Sequence, residues 1–167
     1  LNNPNSISNN SVQFIYEDSN GILWLATNGG WNKFDPKTEK FTVYTEEDGL
    51  PTNYIASILP GKNDDLWLAT RSGISKMVKN KSTGNITFVN YDTEDGLGGT
   101  DFVALVALKS SDGKYYFGGE HGLNEFGDVT VNQTPPTLIF SDLKISNKSV
   151  FNMGEESPLT TSIYDLE

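Results

Sequence analysis

The sequence predicts an all-β chain of three successive repeats, followed by the start of a different β-domain. Three observations carry that expectation. The stretch Asp18-Ser-Asn-Gly-Ile-Leu-Trp-Leu-Ala-Thr-Asn-Gly-Gly-Trp-Asn-Lys-Phe34 returns as Gly61-Lys-Asn-Asp-Asp-Leu-Trp-Leu-Ala-Thr-Arg-Ser-Gly-Ile-Ser-Lys-Met77 and, more worn, as Ser111-Asp-Gly-Lys-Tyr-Tyr-Phe-Gly-Gly-Glu-His-Gly-Leu-Asn-Glu-Phe126. Trp24, Trp67 and Tyr116 align, and the same register sets Gly30 opposite Gly73 and Gly122 without a gap. The aligned aromatics lie 43 and then 49 residues apart, close to the length of a four-stranded propeller blade. After Phe126 the register breaks, and Pro135-Pro136 precedes a run, Leu138 to Ile145, that lacks the repeat signature. The expected architecture is therefore three β-propeller blades, a partial propeller, followed by the first strands of a β-sandwich.

Within each repeat the strands follow from turn chemistry. Ile22-Leu-Trp-Leu-Ala-Thr27 is an apolar, β-branched run between Ser19-Asn-Gly21 and Asn28-Gly-Gly30. Blade one is expected as 12–16, 22–27, 31–35 and 41–44, and blade two as 55–59, 66–70, 74–78 and 86–91. Blade three gives 102–108, 115–118 and 123–126, with no clear fourth strand. The run Phe102-Val-Ala-Leu-Val-Ala-Leu108 has a composition that also suits a helix, but it occupies an inner-strand position. It is read as a strand buried on both faces, where alternation is lost. Gly30, Gly73 and Gly122 end the turn before the third strand, a place for positive φ or close backbone approach.

The same alignment divides the chain into residues 1–131 (blades at about 1–47, 48–94 and 95–131), a proline-containing linker at 132–136, and residues 137–167. The polar opening Leu1 to Asn10 holds the place of the later inter-blade connections 45–53 and 93–100, and Asp-Gly-Leu recurs at 48–50 and 95–97. Too few residues follow Pro136 for an independent core. The chain is therefore expected to be a fragment of a longer protein.

The unit "EDSNGILWLATNGGWNKFD", the lead-in "NNPNSISNNSV" and the recurring "DGL" resemble the two-component regulator propeller repeat. "PPTLIFSDLKISNKSV" is similar to the start of the three-tyrosine, immunoglobulin-like domain that follows the last propeller in that family. The resemblance covers residues 1 to roughly 150. It implies a periplasmic, ligand-sensing input region of a bacterial hybrid two-component system, recognising a carbohydrate breakdown product and relaying through a membrane helix to a histidine kinase. It also implies that the partners are an oligosaccharide or other small molecule, the remaining blades, and a second copy in a homodimer. No kinase segment is present in this sequence, so signalling would depend on other parts of the protein.

Composition narrows the alternatives. A formal net charge of -10, from 22 acidic and 12 basic residues, opposes sequence-independent nucleic-acid binding, which needs clustered cations to displace counterions. The chain has no cysteine, which removes disulfide and zinc-thiolate chemistry. No apolar run approaches the roughly 20 residues that span a bilayer as a helix. His121 is the single histidine and has no neighbouring nucleophile motif. Asp-rich turns at 18–21, 63–65 and 111–113 lack EF-hand spacing and read as Asx turns. No catalytic residue, metal site or cofactor is expected.

Topology points to a site more directly than motifs do. In an up-and-down blade, the turn joining the second and third strands and the connection to the next blade emerge at the same end. That end would collect Tyr54, Arg71, Asp101, Glu120 and His121, a mixture of ring faces, donors and acceptors suited to a polyhydroxylated ligand. Ordinary polar loops would look similar. Trp24, Trp67 and Tyr116, with Gly30, Gly73 and Gly122, are instead assigned to the structural repeat, the aromatics packing between blades. The rival function is a propeller lyase acting on a glycan or cyclic peptide, with Glu120 and His121 as the acid-base pair. An isolated three-blade chain leaves end strands and faces uncovered, so weak ligand binding and self-association are expected of it.

Overall fold

The computed structural model describes residues 5–128 and two short strands at 144–145 and 148–149. The chain divides into two compact units, Leu1–Val129 and Thr130–Glu167. In the first unit, β1 (Val12–Glu17), β2 (Leu23–Thr27), β3 (Gly30–Asp35) and β4 (Lys40–Tyr44) form one antiparallel sheet in chain order. A second sheet follows from β5 (Ile55–Pro60), β6 (Leu66–Thr70), β7 (Gly73–Lys79) and β8 (Ile86–Tyr91). The third has three strands among the described residues: β9 (Phe102–Lys109), β10 (Tyr115–Gly119) and β11 (Gly122–Phe126). These are propeller blades, all-β, with inner strands β1, β5 and β9 side by side. The second unit contributes the hairpin β12 (Lys144–Ile145) and β13 (Lys148–Ser149). The expected sandwich strands and the linker otherwise lie outside the described residues.

The blades are held together by two cores. Between blades one and two, Trp24, Trp31 and Ala26 meet Ile58, Leu66, Leu68 and Met77. Between blades two and three, Trp67, Ala69 and Ile74 meet Phe102, Tyr115 and Phe117. Period-two alternation explains the division: successive residues of β6 point to opposite faces, so Leu66 and Leu68 serve one core while Trp67 and Ala69 serve the other. Blade two is covered on both sides and its β6 is buried throughout. Its flanks show what a neighbour contributes. Ile58 is 1% exposed, whereas Ile15, at the same register of blade one, is 58% exposed.

The same effect corrects the reading of β9. The segment is a strand, but it is not buried on both faces: Leu105 is 70% and Leu108 is 60% exposed. Its register against β10 shifts between Phe117 and Gly119, and Leu105 has φ +65°, so the alternation is lost to a bulge as well. Tyr116 and Leu123 lie on this same open face of blade three. Tyr116 is half-buried, unlike Trp24 and Trp67, and its hydroxyl is bound by Glu125, which is itself paired with Lys114. In the covered blades the residue across from the tryptophan is a lysine, Lys33 or Lys76, lying over the indole at 6.0 and 5.2 Å.

Two turn glycines have a mechanical reason to be glycine. Gly30 and Gly73 have φ of +123° and +103°, and their N–H groups donate to the Asn53 and Thr100 carbonyls at 2.7 and 2.8 Å. Each therefore ties a blade to the connection leading into the next. A Cβ on Gly73 would collide with the Tyr91 carbonyl, whereas one on Gly122, at φ +109°, would meet nothing within 4 Å. Gly73→Ala is thus expected to cost more than the roughly 1–3 kcal/mol of φ strain alone, and Gly122→Ala no more than that strain. Thermal unfolding of the two variants measures the difference.

Candidate functional site

The turn between the second and third strands is built the same way in blades one and two. Thr27 and Thr70 each donate their hydroxyl to the carbonyl of the turn glycine, Gly30 or Gly73, at 2.7 Å. The same hydroxyls accept the N–H of Gly29 at 3.1 Å and of Ser72 at 3.0 Å. Blade three has Gly119 at this position, and the Glu120 N–H donates instead to the Asp101 carbonyl at 3.1 Å. The inter-blade connections are also alike. Gly49 and Gly96 have φ near +106° and +100°, and Asp48 and Asp95 accept the N–H of Thr45 and Asp92 at 2.8 and 3.1 Å. The two loop sets are hydrogen-bonded to each other through Gly30 and Gly73.

This framework brings the five expected site residues to one end of the sheets. The Arg71 guanidinium lies over the Tyr54 ring, 4.0 Å from its centroid, with its Nε 3.8 Å from Asp101 Oδ1. Tyr54 precedes β5, Arg71 belongs to the β6–β7 turn and Asp101 precedes β9, so three separate segments from two blades converge. Stacking holds the guanidinium plane while its remaining N–H groups stay open, since the side chain is 60% exposed. Glu120 joins through its backbone bond to Asp101, and a Cβ built on Gly99 would press against the His121 ring. Both side chains are exposed. In blade one the matching place is polar but uncharged: Gln13 Nε2 donates to Ser11 Oγ at 2.8 Å and Asn28 Oδ1 at 2.9 Å.

A second concavity was not foreseen. It lies between blades two and three, has a volume of about 240 Å³, and includes Trp67, Ile74, Tyr91, Leu97 and Phe126 in its wall. Burial, then the charges of Asp95 and Asp128, raises the Tyr91 phenol pKa, so this hydroxyl stays a donor at neutral pH. The signal that could have located it was the missing fourth strand in the third repeat. Among the described residues no group of three or more metal-ligating side chains is placed to hold an ion.

Comparison with known proteins bears on what these blades are. The family model described as the two component regulator propeller matches residues 6–29 and 49–72. Both matched segments fall on the repeat described above, one in blade one and one in blade two. They cover the connection, the inner strand and the turn that carries Asn28 or Arg71, in the register set by Trp24 and Trp67. A histidine kinase P4 from Formosa agariphila is 31% identical over 209 residues, taking in 95% of this chain. The chain spans about 15% of that relative's length. The extracellular domain assigned to a hybrid two component system of B. thetaiotaomicron superposes with TM-score 0.64 at 31% identity, over 71% of this chain and 16% of that one. That of a one component system from the same organism gives TM-score 0.59 at 25% identity, over 71% of this chain and 17% of that one. No helix among the described residues is long and apolar enough to cross a membrane.

Proposed function

We propose that these propeller repeats are part of the periplasmic, non-catalytic sensing region of a bacterial hybrid two-component system, and that a carbohydrate breakdown product binds at the loop end around Arg71. The observation that carries the site is the convergence of Arg71 on Tyr54 and Asp101 at 4.0 and 3.8 Å. A sugar presents an apolar ring face and a rim of hydroxyls, each both donor and acceptor. Tyr54 offers a ring edge, Arg71 donors, and Asp101 and Glu120 acceptors. Likeness to a histidine kinase and to extracellular domains of such systems supports the sensor reading. Signal would then pass from a homodimeric intact protein, through its other blades and a membrane helix, to a kinase.

Arg71→Gln and Asp101→Asn in the full-length protein, titrated calorimetrically with a panel of oligosaccharides, test the site. Loss of a charge-assisted bond is expected to weaken binding about ten-fold or more with an unchanged unfolding temperature. Unchanged affinity in both variants would rule the loop end out.

A further inference from the structure

The 240 Å³ concavity between blades two and three is a slot that the preceding interface fills. Between blades one and two, Phe88 of β8 stands edge-on to Trp31 and Tyr44, both at 5.9 Å, and against Gly49. It pairs across the strands with Met77, and Asn90, two residues on, donates its amide to the Gly49 carbonyl at 2.9 Å. The repeat register carries Trp31 to Ile74, Tyr44 to Tyr91, Gly49 to Gly96 and Met77 to Phe126. Those four residues all line the concavity. Among the described residues no counterpart of Phe88 stands there. Blade three has three strands among the described residues, and there the outer edge of β11 carries no partner strand.

We infer that β11 accepts an extended peptide strand, added antiparallel at its outer edge, with an aromatic or large apolar side chain seated in this slot opposite Phe126. Strand addition of this kind gains main-chain hydrogen bonds from an unpaired edge and specificity from a pocket that takes alternate side chains. The slot has room, because a cavity of about 150 Å³ already holds a benzene ring. Its wall suits one: Trp67 and Phe126 meet edge to face at 4.9 Å beside it. The flanking polar positions suit a strand patterned like β8, Ile86-Thr-Phe-Val-Asn-Tyr91, with the Gly96 carbonyl placed as Gly49 is for Asn90. None of the five loop-end residues around Arg71 lines the slot, so its test reads a different set of contacts from ligand sensing.

The probe is a synthetic peptide copying Asn85 to Tyr91, added to the whole chain. Calorimetry is expected to register binding, and amide hydrogen exchange to slow over 122–126. A peptide carrying Phe88→Asp is expected to bind at least ten-fold more weakly, and one carrying Phe88→Leu to keep most of the affinity. Equal binding of the Phe and Asp peptides would overturn the slot. Absence of binding, with residues 122–126 already protected in the free chain, would show the edge to be covered by the chain itself, or by a second copy if that protection rises with chain concentration. Either outcome overturns the inference.

Discussion

Trp67→Ala is expected to destabilise the fold by about 3–5 kcal/mol, enough to lower the unfolding temperature by roughly 10 °C or more. Trp67 is buried, and its ring packs on Tyr91, Tyr115 and Phe126 at 5.7, 5.5 and 4.9 Å. Removing it empties the core that joins blades two and three, whose other members are fixed by their own strands and are poorly placed to collapse into the gap. Trp67→Phe should recover part of the loss, because a smaller ring still reaches the same neighbours. The contrast with Tyr116→Ala is informative. Tyr116 holds the same register on the open face of blade three, and its truncation should cost markedly less in denaturant unfolding of the same chain. Equal losses at the two positions would mean that blade three is covered on that face in solution.

The second large effect is electrostatic. Lys76 lies buried with its ammonium 3.2 Å from Asp65 and 3.6 Å from Asp128, and Lys62 reaches Asp128 at 3.3 Å. Asp128 follows blade three while Lys76 and Asp65 belong to blade two, so the group fastens one blade to the next. Lys76→Ala leaves the largely buried Asp65 without its cation and Asp128 with only the exposed Lys62, and is expected to cost about 3–5 kcal/mol. Replacing Lys76, Asp65 and Asp128 together with matched apolar residues should be far less damaging, since the desolvation cost disappears along with the attraction. Chemical denaturation of the single variant and of the triple Lys76→Met, Asp65→Leu, Asp128→Leu separates the two effects. A single variant as stable as the parent would show that the charges stay hydrated.

Most of the framework was legible because the repeat is written in local chemistry. Glycine at 30 and 73 marks positive φ, threonine at 27 and 70 pins the same turn, and Asp-Gly-Leu at 48–50 and 95–97 folds into the same connection. Convergence of Tyr54, Arg71 and Asp101 also followed from connectivity alone, since up-and-down strands can deliver those loops only to one end. What could not be read depends on neighbours. Nothing in Phe102–Leu108 distinguishes a strand covered by another blade from one with an open face, and the bulge at Leu105 leaves no glycine to mark it. The slot beside Trp67 is marked in the sequence only by the lack of a clear fourth strand in the third repeat. Its shape emerges on comparison with the place that Phe88 fills between blades one and two. The Lys76 cluster was likewise hidden, because Asp128 is distant in sequence and sits where the repeat has already ended.

Amide hydrogen exchange on the intact protein, with and without a binding oligosaccharide, tests the sensing site most directly. Binding at the loop end should slow exchange at 53–55, 71–73, 98–101 and 119–122 together, because Tyr54 lies under Arg71 and the other three segments share the Gly73 to Thr100 and Glu120 to Asp101 backbone bonds. Protection confined to other segments, with these four unchanged at saturating ligand, would contradict a ligand site around Arg71.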